Sequence, residues 1–214
     1  MITVFICNFK SLLCGAEGQT FFEELPPYIL SAVDHYSDPL SRLQSAAGLL
    51  LLRHGAKSLY GYESMSIFRG EKGKPFFEDR TDIHFNISHT DTLAACAFSD
   101  QPIGIDIQIE EPGRLGLSRR VLNAQEQAWM DGLAEQDRQS AFFKLWTLKE
   151  SVAKNMGTGV GFGLKRINVL DDTTVCGGQI YDLYHTYYNS ICHLGLCAKT
   201  KEHIKIIEIL PRQL

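Results

Sequence analysis

The sequence predicts an α+β protein made of two related halves, in which mainly antiparallel strands pack against helices. Each half contains several strand-like runs and one long run whose apolar residues recur at helical spacing. A faint internal repeat supports the division. The stretch 93–97 is similar to the stretch 194–198, and the isoleucines that follow each stretch recur at the same offset.

The first half is predicted to contain two helices and the strands of a meander. The helix at 21–36 is expected to begin at Pro26 and Pro27, because proline is tolerated in the first turn of a helix. The helix at 40–54 is expected to end at Gly55. The meander is completed by the strand at Ile103–Ile109. The strands predicted before it are 1–8, 64–69, 85–88 and 93–98.

The second half is predicted to contain a helix near 125–133, a longer helix near 140–155, and four further strands. Those strands are 167–170, 179–185, 191–198 and 204–209. The predicted lobes are 1–101 and 102–214.

Two stretches, 103–110 and 146–154, carry most of the functional information. In the first, isoleucine alternates with other residues, so that an apolar face of the strand opposes a face that bears oxygen atoms, including those of Asp106. In the second, Glu150 and Lys154 are four residues apart and share one face of a helix. If the two stretches meet, Asp106 and Glu150 can hold a hard cation beside a lysine, which suits a magnesium-bound phosphate substrate.

Each element has a simpler interpretation when it is considered alone. Asp106 is then a solvent-facing residue of an alternating strand, and Glu150 with Lys154 is an exposed ion pair worth about 0.3–0.5 kcal/mol. The joint pattern favours a site, because the strand motif and the helix motif occur together in one chain.

Four motifs in order resemble those of the 4′-phosphopantetheinyl transferases, specifically the surfactin-synthetase-activating (Sfp) type. Members of that family carry G-K-P, N-(I/L)-S-H, (I/V)-G-(I/V)-D and (W/F)-x-x-K-E-(S/A)-x-x-K. This chain has these motifs at 73–75, 86–89, 103–106 and 146–154. The segment 157–162 also resembles the glycine-containing loop that follows the helix in the family.

The resemblance implies two similar lobes with coenzyme A in the cleft between them, and transfer of phosphopantetheine to a serine of a carrier protein. It implies that magnesium is held by Asp106 and Glu150, that Glu150 accepts the serine proton, and that Lys154 contacts the pyrophosphate. Gln108 stands where many relatives have glutamate, so that its carbonyl oxygen is expected to be a weak ligand or to act through water. Glu110 is too far along the strand from Asp106 to be assigned as a ligand.

The resemblance also implies contacts to coenzyme A, mainly from the first lobe. Ser88 and His89 are expected at the 3′-phosphate, because a histidine can carry part of a positive charge there. Lys149 and Lys154 are expected contacts from the second lobe. The turn that approaches the nucleotide, with its lysine on a phosphate, is formed by Gly73, Lys74 and Pro75.

Composition limits the expected partners. The formal net charge of −4 gives no indication of a nucleic-acid or membrane partner, and no signal peptide is evident. Six cysteines without C-x-x-C spacing indicate reduced thiols in a cytoplasmic protein.

A monomer is expected, and its carrier partner is expected to be an acidic helical domain that is attracted by Arg114, Arg119 and Arg120. A solvated helix face explains these arginines equally well. The alternative function is a noncatalytic module that binds coenzyme A or a carrier protein.

Overall fold

The computed structural model describes residues 1–13, 16–158, 163–190, 192–200 and 202–214. The strands are β1 (Ile2–Asn8), β2 (Ile67–Arg69), β3 (Pro75–Phe77), β4 (His84–Thr90), β5 (Leu93–Ser99), β6 (Ile103–Ile109), β7 (Thr173–Cys176), β8 (Gln179–Tyr188), β9 (Cys192–Ala198) and β10 (Ile204–Glu208). The α-helices are α1 (Ala16–Glu23), α2 (Pro27–Val33), α3 (Pro39–Tyr60), α4 (Ser118–Val121), α5 (Ala124–Asp131) and α6 (Glu135–Met156).

The first large sheet has the strand order β10-β1-β5-β4. Strands β1 and β4 run antiparallel to β5, whereas β10 runs parallel to β1. Helix α3 packs on one face of this sheet. The buried residues that join the helix to the sheet include Leu43, Leu51, Phe5, Phe85 and Phe98.

The second large sheet has the order β6-β9-β8-β7, and all of its strand pairs are antiparallel. Helix α6 covers one face through residues such as Leu148 and Val152. The other face packs on the first sheet, where the isoleucines of β6 meet Val4 and Ile6 of β1. The layers are therefore α3, the first sheet, the second sheet and α6.

The predicted α+β class is confirmed. The repeated stretches 93–97 and 194–198 lie in β5 and β9, and each of these strands lies between two antiparallel neighbours. The division into lobes at residue 101 stays a prediction. Strand β10, from the second half of the chain, pairs with β1 in the first sheet.

The expected position of Ile103–Ile109 at the end of a meander is wrong. Strand β6 leaves the first sheet and pairs with β9 at the edge of the second. Residues 103–107 are buried on both faces of the strand, because its apolar side meets the first sheet and its polar side meets α6. Alternation therefore indicated the two faces correctly, but the polar face is not exposed to solvent over these residues.

The predicted end of the second helix at Gly55 is also wrong, because α3 continues to Tyr60 and ends at Gly61, whose φ is 61°. Gly55 is needed for packing within the helix. A Cβ atom there would lie 2.2 Å from a ring atom of Phe98. The prediction that α2 begins at its proline pair is confirmed, since Pro27 is its first residue.

The strand predicted at 167–170 is absent from the described residues, and the nearest strand is β7, Thr173–Cys176. Ile167 and Val169 are buried, which explains the apolar pattern. Their backbone groups bind side chains instead of a neighbouring strand. The Val169 N–H donates to Glu126 (3.0 Å), and the Ile167 carbonyl accepts from Lys149 (2.5 Å).

Candidate active site

Asp106 lies on the face of β6 that meets α6, and its side chain is only 4% exposed. Two glycines on this face allow the close approach of the helix. A Cβ at Gly104 would lie 2.0 Å from the Ser151 carbonyl oxygen, and one at Gly195, directly opposite Asp106 on β9, would lie 3.0 Å from the Thr147 backbone. The glycine of the strand motif therefore lets α6 place its functional side chains beside Asp106.

Both carboxylate oxygens of Asp106 accept hydrogen bonds. Oδ1 accepts from Lys154 Nζ at 2.6 Å and from Ser88 Oγ at 2.9 Å. Oδ2 accepts from Gln108 Nε2 at 3.1 Å. The structure thus brings three other predicted site residues, from β4, β6 and α6, around the buried Asp106 carboxylate.

Strand β4 is joined to the open edge of β6 by side chains rather than by a backbone ladder. The Ile105 N–H donates to Asn86 Oδ1 at 2.9 Å, and the Ile107 N–H donates to Ser88 Oγ at 3.2 Å. Ser88 also accepts from Lys154 Nζ at 2.8 Å. Ser88 is buried, so its hydroxyl acts inside the protein in this structure. The role of Asn86 was missed, although N-x-S on a strand places both side chains on one face.

Glu150 lies one turn before Lys154 on α6, and its carboxylate accepts a hydrogen bond from Trp146 Nε1 at 3.4 Å. Desolvation, followed by the negative charge of Asp106, raises the pKa of Glu150, while Lys154 opposes this effect. Asp106 and Glu150, here called the carboxylate pair, are therefore electrostatically coupled. Two like charges in a partly buried site favour binding of a cation.

The donor atoms fit a hard divalent ion. Magnesium takes oxygen ligands, commonly one or two carboxylates together with waters and phosphate oxygens. The carboxylate pair supplies two such groups, and Gln108 lies beside Asp106, to which its amide nitrogen donates at 3.1 Å. Among the described residues, no group of three or more His, Cys, Asp or Glu side chains is arranged to hold a metal.

A cavity of about 220 Å³ opens beside Glu150 of the carboxylate pair. It is bounded on one side by α6, through Glu150, Ala153 and Lys154, and on the other by the turn between β2 and β3. The turn contributes Lys72, Gly73, Lys74 and Pro75. The predicted G-K-P contact segment and the helix motif therefore face the same space. A larger cavity of about 480 Å³, beyond the β2–β3 hairpin, is lined by none of the predicted site residues.

Lys74 bridges the hairpin to the second half of the chain. Its Nζ donates to the carbonyls of Ile103 (3.1 Å) and Asn155 (2.8 Å). Burial lowers the pKa of Lys74 to about 8. The Asn155 carbonyl lies near the C-terminus of α6, where a cation is favourable. Lys74 thus fixes one wall of the cavity, and the contact with phosphate stays a prediction.

His89 is exposed near the end of β4, one residue after Ser88. Desolvation by its surroundings and the positive charge of Lys154 lower the pKa of its imidazole, against the opposing effect of Asp106. Among the described residues, neither Ser88 nor His89 lines the 220 Å³ cavity. Their predicted role at the 3′-phosphate stays a prediction.

Lys149 is wrongly predicted as a contact to coenzyme A. Its side chain is 0% exposed and pairs with the equally buried Glu126 at 2.6 Å. The ammonium also donates to the carbonyls of Leu164 and Ile167. Because adjacent helical residues point about 100° apart, Lys149 faces α5 while Glu150 faces the cavity. The motif lysine therefore anchors α6 rather than binding a ligand in this cavity.

Glu110 forms a hydrogen bond with a histidine and is not part of the carboxylate pair. His193 Nε2 lies 2.9 Å from Glu110 Oε1, and His193 Nδ1 lies 3.0 Å from His185 Nε2. Burial lowers the pKa of His185 to about 4, helped by the charges of His193 and Lys144, and it also lowers the pKa of His193. These three residues form a hydrogen-bonded chain that runs from the residue after β6 across β9 to β8.

We expect this chain to make stability depend on pH. The pKa of His185 in the folded state lies below its ordinary value of 6.5, so the unfolded state binds more protons between pH 6.5 and about 4. The free energy of unfolding should fall as the pH falls through this window, by about 1–2 kcal/mol from His185 after allowance for partial exposure. Urea unfolding at pH 7.5 and pH 5 should show a smaller fall in His185→Gln than in the wild type. His203→Gln, at an exposed histidine, is the control. An equal fall in all three proteins would contradict the expectation.

The predicted arginine patch is exposed, and Arg114 pairs with Glu111 at 2.8 Å. Arg119 and Arg120 lie on the short helix α4.

Gly157 ends α6 with a φ of 63°. Positions 159–162 of the predicted glycine-containing loop lie outside the described residues. No helix within the described ranges is both long enough and apolar enough to cross a membrane.

The chain is similar to proteins of one family. The family model described as ACPS, the 4′-phosphopantetheinyl transferase superfamily, matches residues 102–193, a range that includes the carboxylate pair. A 4′-phosphopantetheinyl transferase of Bacillus subtilis is 31% identical over 166 residues, which cover 70% of this chain and 74% of the relative. The transferase psf-1 of Bacillus pumilus is 29% identical over 86% of each chain. The transferase Sfp of Bacillus subtilis strain 168 is 37% identical over 46% of this chain and 44% of its own.

Proposed function

This chain belongs to the 4′-phosphopantetheinyl transferase family, of the Sfp type, and we propose that it transfers phosphopantetheine from coenzyme A to a serine of a carrier protein with the help of magnesium at the carboxylate pair. The observation that supports this most strongly is the convergence of Asp106, Glu150 and Lys154 beside the cavity that the G-K-P turn lines. A lysine that can bind a phosphate, Lys154, lies close to two carboxylates that can bind a metal ion. This combination suits the transfer of a phosphoryl-linked group.

The reaction exchanges the phosphoanhydride bond of coenzyme A for a phosphodiester bond to the carrier serine. The serine oxygen of the carrier forms a bond to the β-phosphorus of coenzyme A, and the bond from that phosphorus to 3′,5′-ADP breaks. Glu150 takes the serine proton, for which its raised pKa is suitable. The bond electrons leave on the phosphate of 3′,5′-ADP.

Asp106 and Glu150 would hold the magnesium ion, with Gln108 as a weaker oxygen ligand. When bound, the ion neutralises the charge that develops on the pyrophosphate. Lys154 adds a positive charge on the same side, since it lines the cavity. Trp146 restrains the Glu150 carboxylate by its indole N–H.

We place coenzyme A, the donor, between the two halves of the chain. Lys72 and Lys74 bring positive charge to the cavity rim, and Gly73 has a φ of 86°, which favours glycine at this turn. His89 is proposed at the 3′-phosphate, where an added phosphate would raise its lowered pKa towards the charged form.

The carrier is proposed to be an acidic helical domain that approaches Arg119 and Arg120. These two guanidinium groups are exposed on α4, whereas Arg114 is already paired with Glu111. We place the reaction in the cytoplasm with a monomeric enzyme. The five described cysteines are free and buried, which suits a reducing compartment.

The test is the intact mass of an apo carrier protein incubated with this chain, coenzyme A and magnesium. We expect each carrier to gain the mass of one phosphopantetheine group, and we expect no gain when a chelator is in excess. Carrier with its target serine changed to alanine is the control. Full transfer in excess chelator would contradict the role of the metal. Binding of coenzyme A or carrier without any transfer, across a panel of fatty-acid, polyketide and peptide carriers, would favour the noncatalytic alternative.

A further inference from the structure

The Lys154 ammonium lies against Asp106, one of the two carboxylates proposed to hold the metal ion. Its nitrogen lies 2.6 Å from Asp106 Oδ1 and 2.8 Å from Ser88 Oγ. We propose that Lys154 is a displaceable counter-ion: it neutralises Asp106 in the free enzyme, and a divalent cation releases it toward the phosphates of the donor. This inference rests on the proposed function. It specifies which group neutralises Asp106 before the metal and the substrates bind.

The need for a counter-ion follows from burial. The Asp106 side chain is 4% exposed, and an unpaired buried carboxylate is costly. Among the described residues, Lys154 is the only cationic side chain within ion-pair distance of Asp106. The partner is therefore fixed by the fold of the free enzyme and does not depend on a bound metal.

The present contacts leave Asp106 little capacity for another cation. Its Oδ1 is shared by Lys154 and Ser88, and its Oδ2 accepts from Gln108. An ammonium this close to Oδ1 also repels a divalent ion. The ammonium therefore opposes binding of the ion, and once Lys154 has moved the carboxylate pair presents two negative charges to a doubly charged ion.

Lys154 has a path along which to move. Its side chain is 29% exposed and lines the 220 Å³ cavity, so the ammonium can turn into that space by rotation of its four-carbon stem. Lys149, five residues earlier on the same helix, is 0% exposed and is held by Glu126 and two carbonyls. Of these two lysines on α6, Lys154 is the one that can exchange partners.

The resulting coupling is reciprocal. If the cation releases Lys154 to the donor, a donor phosphate that attracts Lys154 must favour the cation to the same extent. Removing the ammonium should therefore have two opposite effects: the cation binds more tightly without donor, and the donor binds more weakly without cation. A lysine that only supports the fold would weaken both.

The experiment measures Mn²⁺ binding by isothermal titration without donor, and coenzyme A binding without metal. In Lys154→Met we expect the Mn²⁺ dissociation constant to fall roughly tenfold, about 1.4 kcal/mol, and the coenzyme A dissociation constant to rise by a similar factor. Lys154→Arg keeps the charge and should bind Mn²⁺ within about threefold of the wild type. Lys144→Met, at an exposed lysine of α6, is the control for net charge and should change neither constant.

Several results would overturn the inference. Unchanged or weaker Mn²⁺ binding in Lys154→Met would show that Lys154 does not compete with the cation. If that variant does not fold, as judged by circular dichroism, Lys154→Gln is read in the same way. Equal gains in Lys154→Met and Lys144→Met would assign the effect to overall charge. If the wild type transfers phosphopantetheine normally while these results occur, the proposed function stands and only the counter-ion role fails. If the wild type neither binds Mn²⁺ nor transfers, the proposed function itself fails.

Discussion

Replacing Glu150 with glutamine is expected to lower kcat/KM for carrier modification by about 10³-fold, because the position loses both a proton acceptor and a carboxylate ligand. The amide is nearly the same size as the carboxylate and can still accept from Trp146, so the fold should be kept. Raising the magnesium concentration should not restore the rate, since added metal cannot accept the serine proton. The measurement is kcat/KM across a magnesium titration.

Three comparisons make this expectation specific. Glu135→Gln removes an exposed carboxylate from the first turn of α6 and should leave the rate near that of the wild type. Asp106→Asn should also be severe, but excess magnesium should restore it in part, because this residue is assigned to the metal and not to the proton. Gln108→Glu should remain active and bind magnesium more tightly, since a carboxylate is the better ligand. A loss of activity in Gln108→Glu together with tolerance of Asp106→Asn would contradict the assignment of the polar face of β6.

Replacing Lys149 with methionine is expected to lower the free energy of unfolding by about 3–5 kcal/mol, because it leaves the Glu126 carboxylate buried without its cation. Both side chains are 0% exposed, and the ammonium also satisfies the carbonyls of Leu164 and Ile167. Urea unfolding gives the change in free energy. Lys144→Met removes an exposed lysine from the same helix and should change it by less than about 0.5 kcal/mol.

A double variant tests whether the loss comes from the pair. Glu126→Gln with Lys149→Met removes both charges, so it should be less destabilised than Lys149→Met alone, although the backbone bonds to Asn123 and Val169 depend on the side chain at 126. A loss below about 1 kcal/mol in Lys149→Met would mean that the pair does not anchor α6.

The sequence was informative where one local pattern determines the structure. Alternation in Ile103–Ile109 predicted the strand and its two faces, and the spacing of Glu150 and Lys154 predicted their shared side of a helix. The spatial arrangement of these elements is not local. Which sheet receives β6 depends on pairing with β9, almost ninety residues later, and alternation carries no information about that partner.

The errors have the same origin. Gly55 looks like a helix end until the rings of Phe5 and Phe98 are placed against it. Residues 167–170 look like a strand because Ile167 and Val169 are buried, but a buried ion pair on two other elements binds their backbone. Lys149 belongs to the functional motif by sequence, and only the position of Glu126 shows that it points away from the cavity.

The residues of the site could be predicted from the sequence, but the hydrogen bonds between them could not. The sequence indicated Asp106, Glu150 and Lys154, but not that the Lys154 ammonium is bound to Asp106 and Ser88. The N-x-S pattern placed Asn86 and Ser88 on one face of a strand, but it did not show that they satisfy the edge of β6. These contacts join residues that lie on different elements, between 19 and 66 positions apart in the chain.

The most direct test of the central claim is the binding of Mn²⁺, followed by electron paramagnetic resonance, to the wild type, Asp106→Asn and Glu150→Gln. The claim is that Asp106 and Glu150 together hold the divalent cation used in transfer. We expect one bound ion in the wild type, tighter binding when coenzyme A is added, and a large loss of affinity when either carboxylate is replaced. Mn²⁺ affinity that is the same in all three proteins, with or without coenzyme A, would contradict the claim.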